Sequence, residues 1–169
     1  RSVSDDSYFR KRLATLVLRE KKCEVLQDSH TRDLMRIWNS EYPRQIAYST
    51  LSEVREYLDN LKEPRHRILL DDKDQLKAWF CVFERDAMPW FAMILDRDLQ
   101  GLGYGRKLLS EAHYEGSILN GWAVDHPHYQ RADGSAYPSP IGFYLKLGFK
   151  LTGKRFDENG LSLAHILWP

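Results

Sequence analysis

Between an apolar run, Trp90-Phe91-Ala92-Met93-Ile94-Leu95, and a helix-like segment, Arg106 to Glu115, stands the stretch Gln100-Gly101-Leu102-Gly103-Tyr104-Gly105. A strand that leads through glycines into a helix N-terminus builds an anion-binding pocket. Glycine lets the backbone come close to a ligand and turn its N–H groups outward. The helix end adds unpaired donors and a positive partial charge. Two common owners of such a turn are excluded by the flanking residues. A P-loop needs Lys-Ser/Thr after its last glycine, whereas Arg106-Lys107-Leu108 follows here. A dinucleotide fingerprint needs G-x-G-x-x-G early in a βαβ unit, whereas this chain offers G-x-G-x-G after three strand-like runs.

The rest of the chain sets the turn in a regular order of elements. Leu13 to Leu18 reads as a first strand. A helix follows, capped by Asp28 or Ser29, with Leu34, Ile37, Trp38 and Tyr42 near one face and Pro43 at its end. Thr50-Leu51-Ser52-Glu53 matches a capping box and starts a second helix, in which Val54, Tyr57, Leu58 and Leu61 share a face and Pro64 is the stop. Arg67 to Leu70, Leu76 to Phe83 and Trp90 to Leu95 form an antiparallel meander on short turns. The helix after the glycine turn buries Leu108, Leu109 and Ala112, and Ile118 to Val124 is a strand reached through it, so it can run parallel to its predecessor. Asp125 to Tyr137 is a polar loop. Ser139-Pro140 opens a short helix that ends at Gly148. Strands Phe149 to Gly153 and Leu161 to Trp168 close the chain around Asp157-Glu158-Asn159-Gly160. The order β-α-α-β-β-β-α-β-α-β-β predicts one domain over residues 1–169, with residues 1–12 as an N-terminal arm.

Charge excludes some partners. Lys and Arg number 25 against 24 Asp and Glu, a net charge of +1. That balance gives no electrostatic case for nucleic acid or for an anionic membrane. Cys23 and Cys81, far apart, read neither as a disulfide framework nor as a zinc site, and a reducing cytoplasm is the expected compartment. No apolar stretch reaches transmembrane length.

Gln100-x-x-Gly103-x-Gly105 resembles the Q/R-x-x-G-x-G/A signature of the GNAT N-acetyltransferase superfamily. Phe143-Tyr144-Leu145-Lys146-Leu147-Gly148-Phe149 is similar to that family's F-Y-x-K-x-G-F segment, and the order of elements fits from about Leu13 to Trp168. The resemblance implies an α/β (α+β) fold with a mixed, mostly antiparallel sheet of about seven strands and about four helices on its faces. It implies acetyl-coenzyme A as acyl donor, no metal, and a primary amine of a small molecule or peptide as acceptor. A homodimer is left open as the assembly.

The chemistry follows residue by residue. Backbone N–H groups of Gly101, Leu102, Gly103, Tyr104, Gly105 and Arg106 are expected to point at the donor's pyrophosphate, with Gln100 opening the motif and the Arg106 side chain able to add charge. Met93, Ile94 and Leu95 lie where the family pairs the pantetheine arm with a strand, and the Leu95 N–H polarises the thioester carbonyl. Tyr144 stands where the family assigns the general acid. A thiol's ordinary pKa is roughly 8.5 and a phenol's roughly 10, so a positioned tyrosine can protonate the leaving sulfur. The general base is not identified: the strand before the turn carries no carboxylate, and Asp125, His126 and His128 are polar-loop residues near the expected reaction centre. Many family members carry an Asn seven residues before the motif tyrosine, where it helps hold the cofactor arm; Tyr137 stands there instead. Trp38 and Tyr42, with Arg44, Gln45 and Tyr48 beside them, are candidate acceptor walls, and Trp38 equally fits plain packing. Neither cysteine lies in an activated motif, which favours direct transfer. The alternative is a coenzyme A-binding module of the same fold without catalysis.

Overall fold

The structure is a computed structural model and describes residues 17–116 and 118–169. Among these residues seven strands form one sheet, in the order β1-β2-β3-β4-β5-β7-β6. They are β1 (Arg19–Cys23), β2 (Lys62–Leu70), β3 (Leu76–Arg85), β4 (Met88–Leu95), β5 (Leu119–Ala123), β6 (Lys150–Glu158) and β7 (Leu161–Trp168). The helices are α1 (Asp28–Glu41), α2 (Leu51–Asp59), α3 (Tyr104–Gly116) and α4 (Ile141–Leu147), with single 3-10 turns at Arg44–Ile46 and Arg97–Leu99. All neighbouring strands are antiparallel except β4 and β5. The expected α/β fold and its element order hold. No helix among the described residues is long and apolar enough to cross a membrane.

The sheet has a core on each face, because side chains alternate along each strand. On one face Trp79, Cys81 and Phe83 of β3 and Trp90 and Ile94 of β4 meet Leu34, Ile37 and Trp38 of α1 and Val54 of α2. On the other, Phe80, Val82 and Phe91 meet Leu108, Leu109 and Ala112 of α3 and Tyr144 of α4. Strands buried on both faces read as unbroken apolar runs, which is why β3 and β4 are legible in the sequence.

Several boundaries differ from the sequence expectation, each for a local reason. The first strand was expected at Leu13 to Leu18, most of which lies outside the described residues; the strand that pairs is Arg19–Cys23. It is a charged edge strand, exposed along nearly its whole length, and edges are kept charged to discourage further pairing. Pro64 does not stop a helix. It lies within β2 at a register shift, beside Glu63 with φ +50, a bulge position where proline is tolerated. The N-cap of α1 is Gln27, with no side-chain cap, rather than Asp28 or Ser29. Thr50 caps α2 as expected, accepting from Glu53 N–H at 3.3 Å, while the Glu53 carboxylate reaches the Ser49 N–H at 3.0 Å. Ser139 accepts from the Ile141 N–H, but α4 begins at Ile141, after Pro140. The sixth strand runs on to Glu158, well past Gly153, around a bulge at its middle.

Candidate active site

The site begins where the sheet comes apart. β4 and β5 run parallel, and their ladder consists of one residue pair, Trp90↔Asn120. Asn120 fixes that point: its side-chain amide donates to the Pro89 carbonyl at 3.0 Å, and its Oδ1 lies 2.9 Å from His165 Nε2. Gly121 gives the Phe91 ring its place, since a Cβ there would lie 2.5 Å from Phe91 Cε1. Beyond this pair β4 continues with one edge facing an open gap.

Strand alternation decides which groups face that gap. The Asp96 N–H bonds the Lys77 carbonyl at 2.8 Å, so Asp96 and, two residues back, Ile94 turn their backbone groups toward β3. Met93 and Leu95 therefore turn theirs toward the gap. Two side chains meet carbonyls there: Tyr42 Oη donates to Met93 O at 2.6 Å, and Gln100 Nε2 to Leu95 O at 3.0 Å. Of the three strand residues read as cofactor contacts, Met93 and Leu95 present backbone to the gap. Ile94 spends its backbone in the β3 ladder and its side chain in the core.

At the end of β4, Asp96 Oδ1 accepts from the Asp98 N–H, and Leu99 is fully buried beneath the 3-10 turn. The chain then enters the glycine turn. Gly101 and Gly103 have φ of +75 and +89, backbone that other residues adopt only with strain, and a Cβ on either would meet no protein atom within 4 Å. These glycines therefore answer to the positive φ of the turn and not to crowding by neighbouring side chains. α3 starts at Tyr104, earlier than the expected Arg106, and its first bond is Lys107 N–H to Gly103 O at 3.1 Å. The N–H groups of Tyr104, Gly105 and Arg106 are the helix's unpaired donors, and they open onto the turn. Gly105 sits against Met93, whose Cε would lie 3.3 Å from a Cβ there. Arg106 and Leu102 are exposed, while Tyr104 packs its ring beside Leu69, Ala78 and Leu99. Gln100 is exposed, and its amide bonds back to the chain, at Leu95 O and Glu41 Oε2.

Tyrosines pack against β4 from both faces of the sheet. Tyr144, on α4, is 7% exposed, its ring against Phe91, Phe143 and Phe149. Among the described residues nothing bonds its hydroxyl. Burial holds its phenol above its ordinary value, and the Tyr137 phenol adds to that. Tyr137, half-buried, is likewise pushed up to about 12 by burial, against a lowering from Arg131. Tyr42 follows α1 from the opposite face, edge-on to Trp38 at 4.6 Å; burial first, then Tyr137 and Tyr144, raise its phenol well above the usual range. The Tyr42 phenol thus feels those of Tyr137 and Tyr144, and the Tyr144 phenol that of Tyr137. Trp38 itself is core, with Nε1 bonded to Ile46 O at 2.8 Å.

The loop residues read as acceptor or base contacts are engaged elsewhere. Asp125 takes both terminal nitrogens of Arg155, at 2.9 and 3.1 Å, which holds its carboxyl below the usual carboxylate range. His126 Nδ1 accepts from the His128 N–H at 3.2 Å, which leaves the proton of a neutral ring on Nε2. The loop is not irregular throughout. Gln130↔Ala136 and Tyr137 N–H to Tyr129 O make a small hairpin, and Arg44 N–H bonds Gln130 O at 2.9 Å, joining it to the α1–α2 link. This is the part of the site that the sequence reading missed. Its signal was the return from polar residues to Ala136-Tyr137 across Asp133-Gly134, a turn pair. A cleft of about 1200 Å³ lies elsewhere, between the start of β2, the start of α1 and the end of α2, with Arg55, Arg65 and Glu84 on its walls. It touches neither the glycine turn nor the gap.

No protein-family model and no curated protein matches this sequence. Solved structures do match. An aminoglycoside 6'-N-acetyltransferase complexed with coenzyme A is 14% identical, over 88% of this chain and 95% of that one, with a TM-score of 0.64. The spermidine/spermine N-acetyltransferase SpeG from Vibrio cholerae is 20% identical over 92% and 93%, with a TM-score of 0.55. An acyl-CoA N-acyltransferase from Pseudomonas aeruginosa is 12% identical over 91% and 99%, with a TM-score of 0.58. At these identities the likeness gives the fold, and the fold is that of the GNAT N-acetyltransferases.

Proposed function

We propose, starting from that shared fold, that this chain transfers an acetyl group from acetyl-coenzyme A directly to a primary amine. The observation that carries the reading is the continuity of two features. The open β4 edge at Met93 and Leu95 runs straight into a glycine cradle with empty space above Gly101 and Gly103. A ligand with an amide arm and a pyrophosphate needs that sequence of contacts: strand-like pairing, then converging N–H donors. The N–H groups of Tyr104, Gly105 and Arg106 would hold the pyrophosphate, and the Arg106 side chain adds positive charge. Bound there, acetyl-coenzyme A supplies an activated acyl group and a thiol leaving group.

The residues of this chain then have distinct tasks. The Leu95 N–H, on the open edge, polarises the acyl carbonyl. Tyr144, like any phenol, keeps its proton through the neutral range and donates it to the departing sulfur; burial, which raises its pKa, makes that transfer more uphill than for an unperturbed phenol. Tyr42, Tyr48 and Tyr137 line the acceptor side. Asp125 is neutralised by Arg155, and His126 presents a donor, so neither offers a free base. The acceptor therefore enters as the free amine, a small molecule or a peptide terminus.

That engagement of Asp125 and His126 also favours a second reading, a coenzyme A-binding module without catalysis. One experiment separates the two. Coenzyme A at about 100-fold its Kd adds about 2.7 kcal/mol of stability, a melting shift of about 5–10 °C at this size. Gly103→Val, which fills the cradle, abolishes the shift. A panel of amines and peptides with acetyl-coenzyme A releases free thiol only for a matching acceptor. Absence of a thermal shift overturns the donor assignment; a shift with no acceptor-dependent thiol across the panel favours the module.

A further inference from the structure

Glu41 breaks two local rules. It is the last residue of α1, where the helix dipole disfavours negative charge, and the last turn of α1 holds no basic residue. It is also 6% exposed, and a buried carboxylate persists only when paired and hydrogen-bonded. Its partners come from two distant segments. From the approach to the glycine turn, Arg97 Nε reaches Oε1 at 3.3 Å and Gln100 Nε2 reaches Oε2 at 3.3 Å. From the hairpin, Arg131 Nη2 lies 3.3 Å from Oε2, and Arg131 Nε donates to the Glu41 carbonyl at 3.4 Å. Each partner also holds a second group, and for Gln100 that group faces the gap. Gln100 donates to the carbonyl of Leu95, and Arg131 Nη1 to that of Ala136, next to Tyr137. Arg97 adds a longer pair to Asp133 on the hairpin, at 3.8 Å. The residue after Glu41 is Tyr42, bonded to Met93.

We propose that Glu41 is a positioning residue that couples the glycine turn to the hairpin at 129–137. Occupancy of the turn by coenzyme A then orders Tyr137 over the gap on the acceptor side. The proposal rests on the donor reading above. Its physical basis is a shared partner: Gln100 donates to Glu41 Oε2, and Arg131 forms an ion pair with the same oxygen. A ligand that fixes the turn fixes Gln100, Gln100 fixes the carboxylate, and the carboxylate fixes Arg131. Ordering by one ligand thereby lowers the cost of ordering for the next.

The test is amide hydrogen exchange at Arg131, Gly134 and Tyr137, whose N–H groups close the hairpin, with and without saturating coenzyme A. In the unaltered protein coenzyme A slows exchange at these amides about 5-fold or more, the scale of ordinary coupling between sites. Glu41→Gln, similar in shape but uncharged, still binds coenzyme A by calorimetry, yet the slowing falls to less than about 2-fold. Glu41→Asp, which keeps the charge, recovers part of it. Arg131→Gln cuts the link from the hairpin side and reproduces the loss even where Glu41→Gln folds poorly. Full slowing retained in Arg131→Gln, or in a folded Glu41→Gln, overturns the coupling, since direct contact with the ligand would then explain it. So does coenzyme A binding without any slowing in the unaltered protein. Failure of coenzyme A to bind the unaltered protein overturns the donor reading together with the coupling.

Discussion

At the scale of single residues, Tyr144 is the most exposed to test. Its ring packs in the core and its hydroxyl has no partner among the described residues, so Tyr144→Phe keeps the packing and removes only the proton donor. Loss of a positioned acid costs about 10²–10⁴-fold. The expected outcome is a fall in kcat of that size with coenzyme A affinity unchanged in a calorimeter. The sign of the pKa effect adds a second check. A raised phenol pKa keeps the acid form present at higher pH, so any alkaline loss of kcat belonging to Tyr144 lies above the ordinary value near 10. An unchanged rate in the Phe variant, or an alkaline limb well below that value which the variant abolishes, would remove Tyr144 from this role. The motif spacing made Tyr144 legible in the sequence. It could not show that Asp125 is spent on Arg155, because those residues lie 30 positions apart and meet only when β6 folds beside β7.

Among the elements, the parting of β4 from β5 governs the site, and Gly121 is where it is held. A Cβ at Gly121 would lie 2.5 and 2.9 Å from Phe91 Cε1 and Cζ, too close without displacement of the ring. Overpacking of this kind costs about 1–3 kcal/mol. Gly121→Ala is expected to lower the urea midpoint accordingly, and Phe91→Leu in the same chain to recover part of the loss. Equal stability of Gly121→Ala and the parent would show that the β4–β5 contact has slack. Phe91 also touches Tyr144, at 5.7 Å between centroids, so the variant should depress turnover as well. The sequence marks both strands by their apolar runs. Their separation leaves no such mark, since an unpaired backbone edge has the same residues as a paired one.

Across the whole molecule, burial of titratable groups sets the response to acid. His66 is 3% exposed, and its Nδ1 accepts from Trp79 Nε1 at 3.0 Å. Burial lowers its pKa to about 4, from an ordinary value near 6.5. The neutral ring is thus the folded form. Its contribution is complete above the unfolded pKa near 6.5 and is lost as pH falls toward 4, on the order of 3 kcal/mol. His165, lowered in the same sense by burial and Lys154, adds to that loss. Carboxylates held low, such as Glu111 by Arg67 and Asp125 by Arg155, contribute only at still lower pH. Urea unfolding between pH 7 and 4.5 should therefore show declining stability, and His66→Gln, which retains an acceptor for Trp79, should flatten the decline. An equally steep decline in that variant would place the titration elsewhere.

What the sequence determined by itself was local. Periodicity, caps and turn residues fixed the order of strands and helices, because each depends on residues a few positions apart. The glycine spacing marked a candidate anion site for the same reason: positive φ and a helix start are properties of a short segment. Tertiary structure decided which groups are available. It turned Met93 and Leu95 toward the gap and Ile94 away, packed Tyr42 and Tyr144 beside β4 on its two faces, and committed Asp125 to Arg155 and Glu41 to Arg131. Those outcomes depend on pairing across many tens of residues and on burial, which raises or lowers a group's proton affinity only once the chain has closed around it.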